Sequence, residues 1–356
     1  MAHEHHAGER APVVIVGAGI AGLCLALRLR AAGVPHLVLA RQERVRACSL
    51  AETLPPTTLA LLEREGLLEL FFAHGRKTFG YCAQWGTGPL RRVDFFGQGR
   101  YGHGLKVDKA GLIHQLTEIV GDRVVTLNQI VGIEPRRGRV RISWAQRGRE
   151  MSADAALLVD ATGRRRAVLR RLNVPSLVQD HQVASSCHVE GVRIPELCHG
   201  VVTESFAGGW GIASALDETT NVLTLFAERG SPVALAMRDL GRWSELLADT
   251  RLLGRLLAPA RAPTQGAVGA LANSSRASQL CGPGWLAVGD AAIAFDPLSS
   301  HGISNAVFSA SVAASAIEVW YTTGDTTLVA RYAGRMETIF AQYLAQRRQY
   351  HRSASS

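Results

Sequence analysis

Apolar and polar positions along the chain fall into two periods. A short β-branched run at 12–16 (PVVIV) leads through glycines into 23–32, rich in Leu and Ala at helical spacing, then Gly33 and an LVL run at 37–39. Short apolar runs read as strands and an i, i+3, i+4 pattern as helix, so the chain begins with a strand, a glycine turn, a helix and a strand. This is a βαβ unit. Residues 53–68 (TLPPTTLALLEREGLL) predict a helix entered through proline, with Thr57 or Thr58 as its cap. Further helices are predicted over 107–120, 233–257, 303–320 and 325–349. The run RVRISW (139–144) alternates as a strand with one wet face, 155–160 (AALLVD) and 286–288 read as buried strands, and 181–228 is strand-rich. No internal repeat or linker interrupts this order, which predicts an α/β fold.

Three of these strands end in small residues: Gly17-Ala18-Gly19, Ala161-Thr162-Gly163 and Gly289-Asp290. The first belongs to a GxGxxG, Gly17 to Gly22, with Ile20 and Ala21 opening the helix. In such a turn the first glycine bends the chain, the second lets the backbone approach a pyrophosphate, and the third lets helix pack on strand, with the helix N-terminus aimed at the phosphates. The second strand of a dinucleotide fold ordinarily ends in an acid that holds a ribose hydroxyl. Ala40 stands there instead, followed by Arg41, with Glu43 near enough in sequence to substitute. Near the C-terminus, WLAVGDAAIAFDPLSSHGI repeats the theme: an apolar run meets Gly289-Asp290, then Asp296-Pro297 and Gly302. A strand ending in this way admits a ligand to its backbone and offers it one carboxylate.

Composition narrows the class. With 47% apolar and 19% charged residues the chain is globular. Its net charge of +9 includes Arg clusters at 136–137, 164–166, 170–171 and 347–348, read here as an Arg-rich solvated surface. No DNA-binding motif accompanies that charge, so nucleic acid is not an expected partner. Six cysteines without a C-x-x-C pair read as reduced, mostly buried small hydrophobes of a cytoplasmic protein. The polar start MAHEHHAGER has no signal-peptide core, and no run is expected to reach a membrane span because 303–320 carries Ser, Asn and Glu. No metal site is expected.

The N-terminal GxGxxG, the middle Ala161-Thr162-Gly163 and the late GDAA…DP…G together resemble the FAD-dependent monooxygenase and tryptophan-halogenase-like superfamily. AETLPP (51–56), AQWG (83–86), VDF (93–95) and GHGLKVDK (102–109) look most like the members that mature tryptophan-derived quinone cofactors by hydroxylating tryptophan in a partner protein. The resemblance implies a Rossmann-like, glutathione-reductase-like FAD-binding domain over 11–80, 103–172 and 268–350, with a short C-terminal helical region. A β-sheet substrate domain would take 81–102 and 173–267. It implies FAD contacts at Gly17, Gly19, Ile20, Ala21, Gly22, Arg41, Lys109, Thr162, Gly163 and Gly289, a ribityl contact at Asp290, and isoalloxazine contacts at Pro297, Ser300, Gly302 and Ile303. Lys109 stands where the family usually has Arg, keeping the charge and losing the bidentate fork.

The implied chemistry is hydroxylation of an electron-rich ring, most directly a tryptophan side chain in a peptide or protein, through a flavin C4a-hydroperoxide formed with molecular oxygen. Candidate catalytic groups are His301 and His103, with Trp210 and Ser299 at the substrate. No second GxGxxG is present, so electrons would come from transiently bound NAD(P)H or a separate flavin reductase. Halogenation is the alternative. Against it, GGWGIASAL (208–216) carries one tryptophan with Ala213 in the usual proline position, and Lys77 reads as an exposed turn. A reductase of isoprenoid double bonds shares the GDAA…DPL…GI pattern and is a further alternative. The end of the chain after the last helix suggests an open active-site mouth.

Overall fold

The computed structural model describes residues 11–41, 51–97, 100–191, 193–194, 197, 199–257 and 268–354. The leader, Glu43, Cys48 and Cys198 lie outside the described residues. The fold is mixed α/β. Its six-stranded sheet runs Cys281–Gly282, Trp285–Ala287, Leu157–Asp160, Val13–Val16, His36–Arg41, Val124–Leu127. All neighbours are parallel except the antiparallel edge pair at Cys281–Gly282. The PVVIV and AALLV runs are uninterrupted in apolar residues because these central strands are covered on both faces: all four residues of Val13–Val16 and of Leu157–Asp160 are buried.

Helix Ile20–Ala31 covers one face and begins three residues before the helical spacing becomes visible, because extended Gly19 is its N-cap. Helix Gly302–Thr323 packs along it, with Ala310, Ala313 and Ala314 among its buried residues. Its 22 residues include an 18-residue window of mean hydropathy 1.3, long and apolar enough to cross a membrane by length and composition, and half of that window is buried in the fold. Helix Thr327–Ala354 closes the end of the sheet, where buried Tyr332 donates its hydroxyl to the Ala287 carbonyl at 2.7 Å.

The second large sheet has seven strands, in the order Val268–Leu271, Gln182–Val189, Asn221–Glu228, Gly209–Ala215, Gly200–Phe206, Gly80–Gln84, Arg91–Asp94. Its two faces differ in chemistry. Cys187, Val189, Ala213, Leu223 and Leu225 point to an aliphatic core shared with Trp243, Leu247 and Leu253. Alternate residues of the same strands point the other way, Ala184, Trp210, Ile212 and Phe226, into a small cluster with Trp85 and Leu298. Two faces of opposite character follow from the period-2 alternation of a strand.

Several local expectations need correction. Pro55, not Thr57 or Thr58, holds the N-cap position of Pro56–Arg64, since a proline at the first helical position already fixes the entry. The helix predicted over 107–120 starts at Lys109, after strand Gly104–Asp108, with the Asp108 carboxylate accepting from Ala110 N at 3.1 Å. The segment 233–257 is not one helix but the short pieces Pro232–Ala236, Leu240–Arg242, Trp243–Leu246 and Gly254–Leu257. These pieces fold over one face of the seven-stranded sheet, where burying Trp243 and Leu253 against its aliphatic residues outweighs helical continuity. Lys77 is exposed as expected, on strand Gly75–Thr78 rather than a turn.

Cys24 and Cys187 are buried, and Cys82 and Cys281 half-buried. Burial pushes the Cys24 thiol up to about 12, aided by Glu65.

Candidate active site

Three strand ends converge because three glycines permit it. A Cβ on Gly17 (φ +116°) would overlap the Ala161 carbonyl, and one on Gly22 would overlap the Gly17 carbonyl. Gly289 (φ +59°) leaves only 2.8 Å between a would-be Cβ and that of Ala21. The turns at 17–19, 161–163 and 289–290 are thus packed against one another. At Gly19, Gly163 and Gly302 the opposite holds: nothing stands within 4 Å of the added atom. Backbone therefore lines open space at the middle of the GxGxxG, in the second turn and at the start of helix Gly302–Thr323. Helices Ile20–Ala31 and Gly302–Thr323 both begin without a side-chain bond from the N-cap residue or an acid in the first turn.

The second turn is organised by a residue the sequence reading passed over. Fully buried Asp160 accepts from Thr162 N (2.9 Å), Thr162 Oγ1 (2.6 Å), Val168 N (3.1 Å) and Leu169 N (2.9 Å). Burial still raises its carboxyl above the usual range, against those four donors. The Thr162 hydroxyl also accepts from Ala167 N at 2.7 Å, holding the first N–H of the short helix Ala167–Arg171. An acid closing an apolar strand just before a small-residue turn was the available signal.

Of the basic cluster at 164–166 only Arg165 is exposed; Arg164 and Arg166 turn inward. Arg164 donates to the Phe295 carbonyl at 2.6 Å and to the Asn273 carbonyl, and its Nε stands 3.4 Å from Asp290 Oδ2. Arg166 is buried, donating to Ala291 O (2.9 Å), Ser275 Oγ (3.1 Å) and Asp290 O (3.3 Å). Burial lowers its guanidinium to about 10 while Asp290 opposes the shift. The two arginines hold the GDAA segment to the second turn. Arg347 is likewise committed, to Asp180 (3.2 Å) and Asp296 (3.3 Å). The sequence signal was their place beside a glycine turn and on a terminal helix facing an acid.

Asp290 is recessed at this junction with about a third of its side chain open (32%). Burial holds its carboxyl above the ordinary range, against Arg164 and Lys109. Lys109 pairs with Glu52 at 2.9 Å, because strands Ala51–Leu54 and Gly104–Asp108 are neighbours with Glu52 opposite Val107. The AETLPP and GHGLKVDK segments therefore meet beside Asp290. Arg41 ends its strand in an exposed position.

The segment 295–303 is tightly held. Asp296 Oδ1 accepts from Leu298 N at 2.8 Å, and Asp296 N donates to Tyr343 Oη at 2.9 Å. Pro297 opens the turn and Ser300 takes a left-handed conformation (φ +52°). The Ser299 hydroxyl donates to Asp296 O at 2.8 Å, an internal turn bond. Buried Asn305 donates to Ile293 O at 2.9 Å, and Ile303 is buried behind the turn. His301 precedes the helix with its carbonyl accepting from Asn305 N (2.8 Å) and its ring tilted against Phe295. Partial burial lowers its imidazole, partly offset by Ser299.

Across from this turn, Trp210 stacks on Phe226 (centroids 3.9 Å, 10°) and meets Trp85 at 6.0 Å, with Leu298 completing the cluster. Trp210 and the turn at 297–299 are thus brought together. His103 is not part of this group: it stacks on Tyr101 and tilts against Phe72.

Residues 10–190 match the family described as FAD binding domain. The chain belongs to this FAD-binding family. It is 30% identical over 258 residues to the FAD-dependent monooxygenase pytG of Aspergillus terreus, covering 67% of this chain and 75% of that protein. The family member is thereby an FAD-dependent oxidoreductase of the monooxygenase type. Among solved structures its fold is similar to the flavin-dependent halogenase CmlS (TM-score 0.80, 21% identity), over 97% of this chain and 64% of CmlS. It is also similar to the peptidyl tryptophan dihydroxylase QhpG (TM-score 0.75, 21% identity), over 96% of this chain and 75% of QhpG. The open backbone at Gly19 and Gly163, with acid-free helix N-termini and one recessed carboxylate, fits the pyrophosphate and polyol of the family's cofactor.

Proposed function

We propose that this FAD-binding protein hydroxylates an electron-rich aromatic ring, with a tryptophan side chain in a peptide or protein as the substrate class favoured. The observation that carries the reading is the Trp210–Phe226–Trp85 cluster closing against Leu298 of the turn at 297–299. Bound and reduced, the flavin supplies oxygen activation, which no side chain provides. Gly19, Ile20, Ala21 and Gly163 present backbone to the pyrophosphate, packed in place by Gly17, Gly22 and Gly289. Thr162 shapes that turn, and Arg41 and Lys109 lend positive charge nearby. Asp290 accepts from the ribityl hydroxyls, and Pro297, Ser300, Gly302 and Ile303 set the helix N-terminus against the ring system, where its dipole favours negative charge.

His301 immediately precedes that helix and is the candidate proton donor, its backbone N–H donating to Ser299 Oγ. His103, seated between Tyr101 and Phe72, is the weaker candidate. A division into an FAD domain and a sheet-built substrate domain, electrons from NAD(P)H or a flavin reductase, and a cytoplasmic setting complete the proposal.

Likeness to QhpG, named a peptidyl tryptophan dihydroxylase, supports the tryptophan assignment. Likeness to CmlS supports a second reading, halogenation. Lys77 sits exposed on strand Gly75–Thr78, and 208–216 contains one tryptophan, which favours hydroxylation. The test is product mass for free tryptophan, tryptophan peptides and non-indole aromatics with reduced enzyme and oxygen, with and without halide. Addition of one or two oxygen atoms indifferent to chloride or bromide supports the proposal, and a halogenated product overturns it.

A further inference from the structure

The inner face of the seven-stranded sheet carries buried polar atoms that its aliphatic face lacks a use for. Trp210 (4% exposed), Ser214 (5%) and Gln182 (8%) are buried, and Trp210 Nε1, Ser214 Oγ and Gln182 Oε1 have no hydrogen-bond partner among the described residues. Trp85 Nε1 is in the same state. All four lie on this face, Trp85 just past strand Gly80–Gln84, but Gln182 sits opposite Glu228 and Ser214 opposite Val222, so only Trp85 and Trp210 share a corner. Trp210, Ile212 and Ser214 alternate with Ala213 and Ala215 of the aliphatic core, and Gln182 and Ala184 alternate with Val183. Elsewhere on this face a buried pair is satisfied, Ser186 Oγ with Thr224 Oγ1 at 2.8 Å. Native proteins leave few buried donors unmatched, and each unmatched one calls for a reason.

A ligand supplies the reason. Both indole N–H groups are donors only, so neither is satisfied by another donor. Their rings, 6.0 Å apart at 52°, meet over the same corner that Leu298 closes. An aromatic molecule lying beside the Trp210–Phe226 stack needs an oxygen acceptor to match them.

We propose that Trp85 and Trp210 position the substrate by donating to a carboxylate or carbonyl oxygen carried on a short arm of its ring. The inference rests on the aromatic-substrate reading and deepens it: the substrate class is an aromatic ring bearing an sp² oxygen acceptor. A free aromatic acid and a peptide-borne ring share that chemistry.

Calorimetric titration of the FAD-loaded protein with matched ligands tests it. The ligands are 3-methylindole, indole-3-propionate and N-acetyltryptophanamide, with 4-ethylphenol and 4-hydroxyphenylacetate as a second ring type. Acceptor-bearing members are expected to bind about tenfold or more tightly than their bare partners. Relative strength of the acid and the amide separates a free acid from a peptide carbonyl. Trp85→Phe and Trp210→Phe keep an aromatic ring and remove the donor, and each is expected to erase most of that preference by weakening the acceptor-bearing ligands about tenfold more than the bare ones. If Trp210→Phe fails to fold, the half-buried Trp85→Phe carries the test. Equal binding of bare and acceptor-bearing rings, or equal weakening of both in the variants, overturns the inference while the aromatic reading stands. Binding of no aromatic ligand overturns the aromatic reading and the inference with it.

Discussion

Arg164 Nε stands 3.4 Å from Asp290 Oδ2, tying the turn after strand Leu157–Asp160 to the turn after Trp285–Ala287. Both side chains are partly open, so the pair itself contributes little stability in water. Its consequence is placement: the carboxylate is held at the junction of the converging turns.

Asp290→Asn is expected to separate stability from cofactor binding. Burial raises the folded-state carboxyl above its ordinary 3.8. The folded protein therefore holds the proton more tightly than the unfolded chain, and that stability is present below about 3.8 and lost as pH rises through the raised value. The amide does not titrate, so the variant without FAD should melt at an equal or higher temperature near neutral pH with a flatter dependence from mild acid upward. Its FAD affinity should fall about tenfold or more through lost ribityl hydrogen bonds. Thermal melts across pH, beside FAD titration, check both.

Gly19→Val and Gly17→Ala should fail differently. The first adds atoms to open space and should leave the fold without FAD intact while abolishing the bound-flavin absorbance. The second forces a side chain at φ +116° against the Ala161 carbonyl and should cost about 2–5 kcal/mol of folding stability. Denaturant unfolding and flavin absorbance on the same samples distinguish the two.

Tyr343→Phe should loosen the turn at 296–300. The Tyr343 oxygen accepts from Asp296 N at 2.9 Å and shares a hydrogen bond with buried Ser274 at 2.6 Å. Removing it strands two buried partners, a loss of about 1–3 kcal/mol. Chemical denaturation should show that loss together with weaker flavin retention, and an unchanged midpoint would contradict it.

His301→Ala should keep FAD and lower hydroxylated product by about 10²–10⁴-fold, the range for a general acid–base group. Steady-state product formation with retained flavin absorbance measures it. Wild-type turnover in this variant would remove His301 from the mechanism.

The strand–turn–helix–strand opening, the small residues ending strands at 17–19, 161–163 and 289–290, and the strand-rich region at 181–228 were legible in the chain itself. Each depends on neighbours in sequence: apolar runs for covered strands, glycine for tight approach, alternation for a two-faced sheet. What the tertiary structure decided were partners far apart along the chain. Arg166 and Ala291 are separated by 125 residues, and nothing local distinguishes that clamp from the solvated arginine surface it was read as. The same holds for Glu52 meeting Lys109 and for Leu298 meeting Trp210. The break of 233–257 into short pieces was decided there too, since the sheet face these residues pack against, absent from the local pattern, sets which side chains bury. A sequence declares what each segment prefers, and only packing decides which polar group its neighbour satisfies and which it leaves for a ligand.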